Sequence, residues 1–312
     1  MKHYSVLLEE SIALLNIHPG GIYVDATLGR GGHSVEILKH LQGKGFLYAF
    51  DQDEEAIVGS QPHLFAIGSN FECIKSNFVH LKEELYRRGV TKIDGILFDL
   101  GVSSPQLDDA SRGFSYHQDA PLDMRMDRDQ NLTAYEVVNT YPYEDLYRII
   151  RDYGEERYAR PIARAIVEAR KKKPIQTTLQ LVEVIKGAMP EKAKRGKHPA
   201  RRTFQAIRIE VNRELDVLPQ ALMDAIDLLK VGGRLAIITF HSLEDRIVAR
   251  ILKELSRSNV PSDLPAIPEM MKPILELYPR KPIMASAEEL EVNRRSRSAR
   301  LRGAIKLRER TK

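Results

Sequence analysis

The sequence predicts an α/β fold: a Rossmann-like, doubly wound parallel sheet interrupted by an all-helical insertion. Three observations predict it. A short apolar run, a glycine turn and an amphipathic stretch follow one another over residues 22–41. Apolar runs and helical patterns then alternate to residue 100. Finally, no strand pattern occurs between Gln106 and Arg202, where the apolar spacing is helical.

The expected strands are Ile22–Asp25, Phe46–Asp51, Phe71–Lys75 and Ile93–Leu100, each short, apolar and bounded by polar or turn residues. Between them lie helix patterns near Ser34–Leu41, Glu54–Val58 and Leu81–Arg88. Alternation of this kind gives parallel strands whose carboxyl ends carry the ligand. From Gly101 to Asp129 the chain is rich in Asp, Ser, Pro and Gly and reads as loop. Helical stretches follow at Ala134–Asn139, Glu144–Lys172 with a break near Gly154, and Leu179–Met189, before a basic linker from Pro190 to Pro199. Phe204, Ile207, Val211, Leu215 and Leu218 share one face of a single expected helix over 204–229, ended by Gly232-Gly233. Arg234–Phe240 is a further strand, Leu243–Leu255 a helix, and Ser298–Leu307 a last strand expected at the sheet edge. The expected division is 1–106 and 203–312 for the two parts of the core, with 107–202 as the insertion.

Composition narrows the function. No apolar run is long enough to span a bilayer, and the first residues lack a signal-peptide core. The single cysteine, Cys73, excludes a disulfide framework and a Cys-rich zinc site, and the scattered histidines show no metal-ligand spacing. A reducing cytoplasm and no bound metal are expected. Residues 160–202 carry a local charge of +10 and residues 294–312 one of +8, against +5 for the whole chain. An acidic body with two basic segments suggests a polyanionic partner such as nucleic acid. Arg164, Arg170, Lys171, Lys172, Lys173, Lys194, Arg195, Lys197, Arg201 and Arg202 are the candidate phosphate contacts. Phe114, Tyr116, Tyr153 and Tyr158 are candidates for base stacking, each with core packing as the plainer alternative.

The glycine turn after the first strand, Asp25-Ala-Thr-Leu-Gly-Arg-Gly-Gly-His33, lets a ligand approach the main chain and the N-terminus of the following helix. Asp51 ends the next strand 22 residues beyond Gly29, where an acid can bind both hydroxyls of a ribose. Its other reading is an N-cap for the helix at Glu54, a role Asp53 could fill instead. The turn lacks the third glycine of Gly-x-Gly-x-x-Gly, which weakens a nicotinamide reading, and no P-loop is present. Asp-x-x-x-Gly-x-Gly is the form found in class I S-adenosylmethionine (SAM) methyltransferases. Asp99 ends the fourth strand, facing cofactor and substrate. It could accept hydrogen bonds from a reacting amine, hold the amino end of the cofactor, or merely cap the loop. His241, at the end of the next strand, could accept a proton or contact substrate, or the site could be a helix start capped by Ser242 with Asp245 three residues on. Cys73 lies on an internal strand and is a poor nucleophile candidate.

Seven strings, in order along nearly the whole chain, resemble the RsmH (MraW) family: Asp25–His33, Asp94–Asp108, Arg112–Tyr116, Pro121–Asp127, Arg202–Asn212, Phe240–Arg246 and Arg295–Arg302. The resemblance implies a class I SAM-dependent methyltransferase acting on the N4 amino group of cytosine 1402 (standard rRNA numbering) in the 16S rRNA of the small ribosomal subunit. By motif match it implies cofactor contacts at Gly31, Gly32, His33, Asp51, Phe78, Asp99 and Gln106; from their places at strand ends, Asp99 is the leading catalytic candidate and His241 a lesser one. The chain has no Asp/Asn-Pro-Pro-Tyr motif, so the base-clamping aromatic of many DNA amino-methylating enzymes is not identified by it. A nicotinamide-dependent oxidoreductase and a non-enzymatic RNA-binding factor on a methyltransferase fold are the rival readings.

Overall fold

The computed structural model describes residues 5–258, 268 and 271–310. The first part of the core runs α1 (Leu8–Leu15), β1 (Ile22–Asp25), α2 (Gly32–Leu41), β2 (Phe46–Asp51), α3 (Glu54–Phe65), β3 (Phe71–Lys75), α4 (Leu81–Arg87) and β4 (Ile93–Asp99). Then come α5 (Ser104–Asp108), α6 (Ala134–Thr140), α7 (Tyr143–Asp152), α8 (Ala159–Lys172), α9 (Thr178–Ala188) and α10 (Arg201–Asn212). The core resumes with α11 (Glu214–Leu228), β5 (Leu229–Thr239), α12 (Ser242–Leu255), β6 (Leu275–Leu277), α13 (Ala287–Val292) and β7 (Arg300–Lys306). Two compact units result: residues 1–101 with 215–312, and residues 102–214. The helical unit is therefore longer at both ends than the 107–202 expected, because Phe204, Ile207 and Val211 of α10 pack in its core.

Among the described residues, seven strands form one sheet in the order β3-β2-β1-β4-β5-β7-β6. The first five are parallel, while β7 runs antiparallel to both β5 and β6. Successive strand residues point to opposite faces. Ile96, Phe98, Leu235 and Ile237 meet α4, α11 and α12 on one side, and Leu97, Ala236 and Ile238 meet α1, α2 and α3 on the other.

Four sequence expectations change. The pattern over 204–229 is two helices, separated at Arg213, whose φ is 51°. The spacing continues through the break because Phe204 and Ile207 belong to one core and Leu218 and Leu222 to another. Gly232-Gly233 lies inside β5 rather than closing a helix. Strand β7 is not the edge, since the three-residue β6, too short to read in the sequence, pairs outside it. Helix α3 runs on to Phe65 through Pro62, and α1 and α5 stand outside the expected elements, although Ser103 and Gln106 form a capping box at the start of α5.

The loop-like stretch of the helical unit is ordered by buried polar groups. Arg112 is almost fully buried and donates to the carbonyls of Arg125 (2.9 Å) and Met126 (3.2 Å). Asn212 accepts the Met126 N–H and donates to the Met124 carbonyl, both at 2.8 Å. Gly113 has φ 73°, and a Cβ there would fall 2.4 Å from the Pro121 carbonyl oxygen. Replacing Asn212 with Ala strands a buried donor and acceptor, so the denaturant midpoint should fall by the equivalent of about 1–3 kcal/mol. An unchanged midpoint would mean that the loop is held elsewhere.

Candidate active site

Asp25, Asp51 and Asp99 close three neighbouring parallel strands. They are not equivalent. Asp25 is buried and consumed internally: it accepts the Ser34 hydroxyl at 2.7 Å and the Thr27 N–H at 3.0 Å. Burial pushes its carboxyl up, opposed by the charge of His33. Asp51 accepts the Gly29 N–H (2.8 Å) on one oxygen and the Asp53 N–H (2.9 Å) on the other. A carboxylate oxygen has two acceptor directions, so both remain competent toward a diol. Burial pushes Asp51 up to about 7. The cap of α3 is Asp53, which accepts the Glu55 N–H, leaving Asp51 clear of that role.

The glycine turn bends as its composition requires. Gly29 and Gly31 have φ of 52° and 77°, and Gly31 is the N-cap of α2. The Ser60 hydroxyl donates to the Gly29 carbonyl at 2.7 Å. Gly32 opens α2 so tightly against the N-terminal segment that a Cβ would lie 1.9 Å from Ser5 Oγ. The N–H groups of a helix's first turn and its dipole favour negative charge here. His33, in that first turn, is buried, with Nε2 3.1 Å from the Val6 carbonyl and Nδ1 3.8 Å from Asp99 Oδ2. Burial holds its imidazole below the usual range, and Asp25 opposes that shift.

Asp99 has a different character. Its N–H donates to Thr27 Oγ1 at 2.6 Å, which fixes its backbone to the glycine-turn segment. Its Oδ1 is enclosed and accepts no hydrogen bond among the described residues. Burial, then the carboxylates of Asp25 and Glu244, push it up to about 8. A buried acceptor without a donor is costly, and this one suits a cation or an amine.

Three candidates remain. Phe78, in the 3-10 turn 78–80 after β3, packs edge-on to Phe98 with centroids 5.6 Å apart. Gln106 is buried on α5 in the helical unit, where its Oε1 accepts the Ser103 N–H at 3.0 Å. His241 is itself the N-cap of α12, in a capping box with Glu244, in place of the Ser242 and Asp245 pairing read from the sequence. Asp245 instead holds Arg302 and Arg300 at 2.7 and 2.9 Å. Sequence reasoning missed Thr27, which links Asp25 and Asp99, and the buried Glu244; both lie inside strings already singled out.

The basic candidates divide as well. Arg170 donates to the carbonyls of Val138 (2.7 Å) and Tyr141 (2.6 Å), so it ties α8 to the end of α6 and is removed from the phosphate-contact set. Phe114 is core. Tyr116 stacks on His198 at 4.6 Å, with exposed His117 4.6 Å to its side. The last two residues of the basic C-terminal segment, 311–312, lie outside the described residues. No helix among the described residues is long and apolar enough to cross a membrane.

A mixed sheet with an α2 glycine turn at β1, an acid closing β2 and an acid closing β4 defines a class I, SAM-dependent methyltransferase. The chain belongs to the MraW methylase family, whose model matches residues 1–307. The ribosomal RNA small subunit methyltransferase H of Exiguobacterium sibiricum is 59% identical over 310 residues, covering 99% of each chain. Its counterpart of the same name in Streptococcus dysgalactiae subsp. equisimilis is 55% identical over 309 residues, covering 98% of each. An rRNA methylase structure from Streptococcus thermophilus aligns over 99% of this chain and 100% of its own, with 14% identity and a TM-score of 0.43.

The raised carboxyl of Asp99 has a thermodynamic consequence. In the fold it keeps its proton to about pH 8, whereas an unfolded aspartate loses it near about 3.9. The unfolded state therefore binds fewer protons across that window, and stability falls as pH rises through it. Asp99→Asn removes this slope, so the variant should gain on the parent in denaturant midpoint between pH 5.5 and 8. Parallel curves would contradict the raised carboxyl.

Proposed function

We propose that this chain methylates the N4 amino group of cytosine 1402 (standard rRNA numbering) in the 16S rRNA of the small ribosomal subunit, and that its helical unit docks the RNA. Two things support the substrate: the names of the relatives above and the resemblance of the motif strings. The chemistry is supported by one observation above all, the enclosed and unpartnered Oδ1 of Asp99 at the end of β4.

SAM, when bound, supplies an electrophilic methyl group on a positively charged sulfur. The side chains present fit it. Asp51 would hold the ribose hydroxyls, Gly31, Gly32 and His33 the amino-acid end at the start of α2, and Phe78 the adenine; Gln106 is the remaining residue of the motif match. An exocyclic cytosine amine is a weak nucleophile because its lone pair is delocalised into the ring. Asp99 accepts an N–H of that amine, turns the lone pair toward the methyl donor and takes up the proton that the nitrogen sheds. Bringing donor and amine into line contributes most of the acceleration. A nearby cation returns Asp99 to its carboxylate form, as this role requires. Burial holds the thiol of Cys73 up at about 11, so no covalent intermediate on that sulfur is invoked.

In the helical unit, Arg195, Lys197, Arg201 and Arg202 are exposed on either side of His198 in the chain, the His198 ring stacks on Tyr116, and the charge of Arg201 acts on Tyr116. Cations flanking stacked aromatic faces suit a single-stranded RNA segment. The cytoplasm is the compartment this substrate implies.

The test uses tritiated SAM, small subunits lacking the modification, and nucleoside analysis. Label should appear as N4-methylcytidine. Asp99→Ala should lower kcat by about 10²-fold or more while still binding SAM. Asp51→Ala should weaken SAM binding about 10-fold or more. Label on another nucleoside, or an Asp99→Ala variant with parental kcat, would refute the proposal.

A further inference from the structure

Glu289, on α13, has no place in the cofactor set, yet a chain of contacts runs from it to Asp99. Its Oε1 accepts the backbone N–H of Leu7 at 2.9 Å and the hydroxyl of Ser296. Leu7 is buried and left-handed, with φ 49° and ψ 43°, a conformation that costs a non-glycine residue energy and persists only when its surroundings enforce it. The residues before it lie against the glycine turn. The Val6 carbonyl faces His33 Nε2 at 3.1 Å, and Ser5 Oγ occupies the space that a Cβ on Gly32 would need. His33 then directs Nδ1 at Asp99. Glu289 is itself fixed, because Ser286 caps its helix and accepts the Glu289 N–H at 3.2 Å.

We propose that Ser5–Leu7 is a strap closing over the cofactor turn, and that Glu289 is the positioning residue that keeps it closed. The inference rests on the placement of the cofactor at the glycine turn argued above. The strained Leu7 is the reason a latch is needed: without an acceptor for its N–H, the segment relaxes away from Gly32 and His33. A closed strap walls the start of α2 from water and fixes the His33 ring through Val6. Its effect therefore falls on retention of SAM rather than on the methyl transfer itself or on binding of the ribosomal subunit.

The experiment compares full-length Glu289→Ala and Glu289→Gln with the parent. SAM binding is read by calorimetry, steady-state kinetics with undermodified small subunits, and amide exchange over residues 5–7. Glu289→Ala should weaken SAM binding about tenfold and raise its KM equally, a loss of the size expected for one hydrogen bond to a charged group. Its kcat should stay within about twofold, the KM for subunits should not change, and the strap amides should exchange faster. Glu289→Gln keeps an acceptor oxygen and should stay within about twofold throughout. In the parent, SAM should slow exchange at residues 5–7, a reading that needs no variant to fold. The strap is overturned by any of three results: no protection by SAM, equal impairment of both variants, or loss of kcat and thermal stability with unchanged SAM affinity. Failure of Asp51→Ala to weaken SAM would instead remove the cofactor placement on which the strap rests.

Discussion

Four carboxyl groups, Asp25, Asp51, Asp99 and Glu244, crowd the place where three parallel strands end, and much of the site is a response to that crowding. Parallel pairing of β2, β1 and β4 makes the convergence unavoidable, since each strand finishes on an aspartate. The protein answers the charges unequally. Asp25 is satisfied by Ser34 and Thr27, and Asp51 by two backbone N–H groups of the turns beside it. Asp99 is left with one oxygen unpartnered. Ile96, Leu97 and Phe98 of β4 are apolar and buried, whereas its last residue is an acid, and a lapse of that kind is expected where function outweighs stability.

The same economy governs the supporting elements. Thr27 joins the first strand's loop to the fourth strand by accepting the Asp99 N–H, which ties the acid to the glycine-turn segment. The β5–α12 junction contributes Glu244, whose carboxylate caps its own helix and adds negative charge facing Asp99. The N-terminal segment and α13, near opposite ends of the chain, are joined by the Glu289 carboxylate. In the helical unit, Arg112 and Asn212 do comparable work, holding a proline- and aspartate-rich loop through buried hydrogen bonds to its carbonyls and N–H groups. Most of the motif strings thus serve architecture.

The sequence made legible what depends on short-range pattern. The positions of Asp51 and Asp99 followed from apolar runs ending in an acid, and the glycine turn from the spacing of Gly29 and Gly31. Its blind spots have physical causes. The break at Arg213 was hidden because helical spacing persists when the burying surface changes from one core to another. The cap of α12 was shifted by one residue because histidine is an uncommon N-cap and Ser242 a common one. Arg170 reads as a phosphate ligand until its guanidinium is seen filling two carbonyls. The Leu7–Glu289 contact spans 282 residues, beyond any periodicity.

If the Asp99 carboxyl is raised by its surroundings and is then ionised by the cationic methyl donor, binding of the donor must release a proton. Calorimetric titration of the protein with SAM at pH 6.5, in buffers of different ionisation enthalpy, counts that proton directly. The parent should show net release, and Asp99→Asn a clear reduction. Equal proton release by the two proteins would contradict this, because the charge answering the methyl donor would then reside on another group.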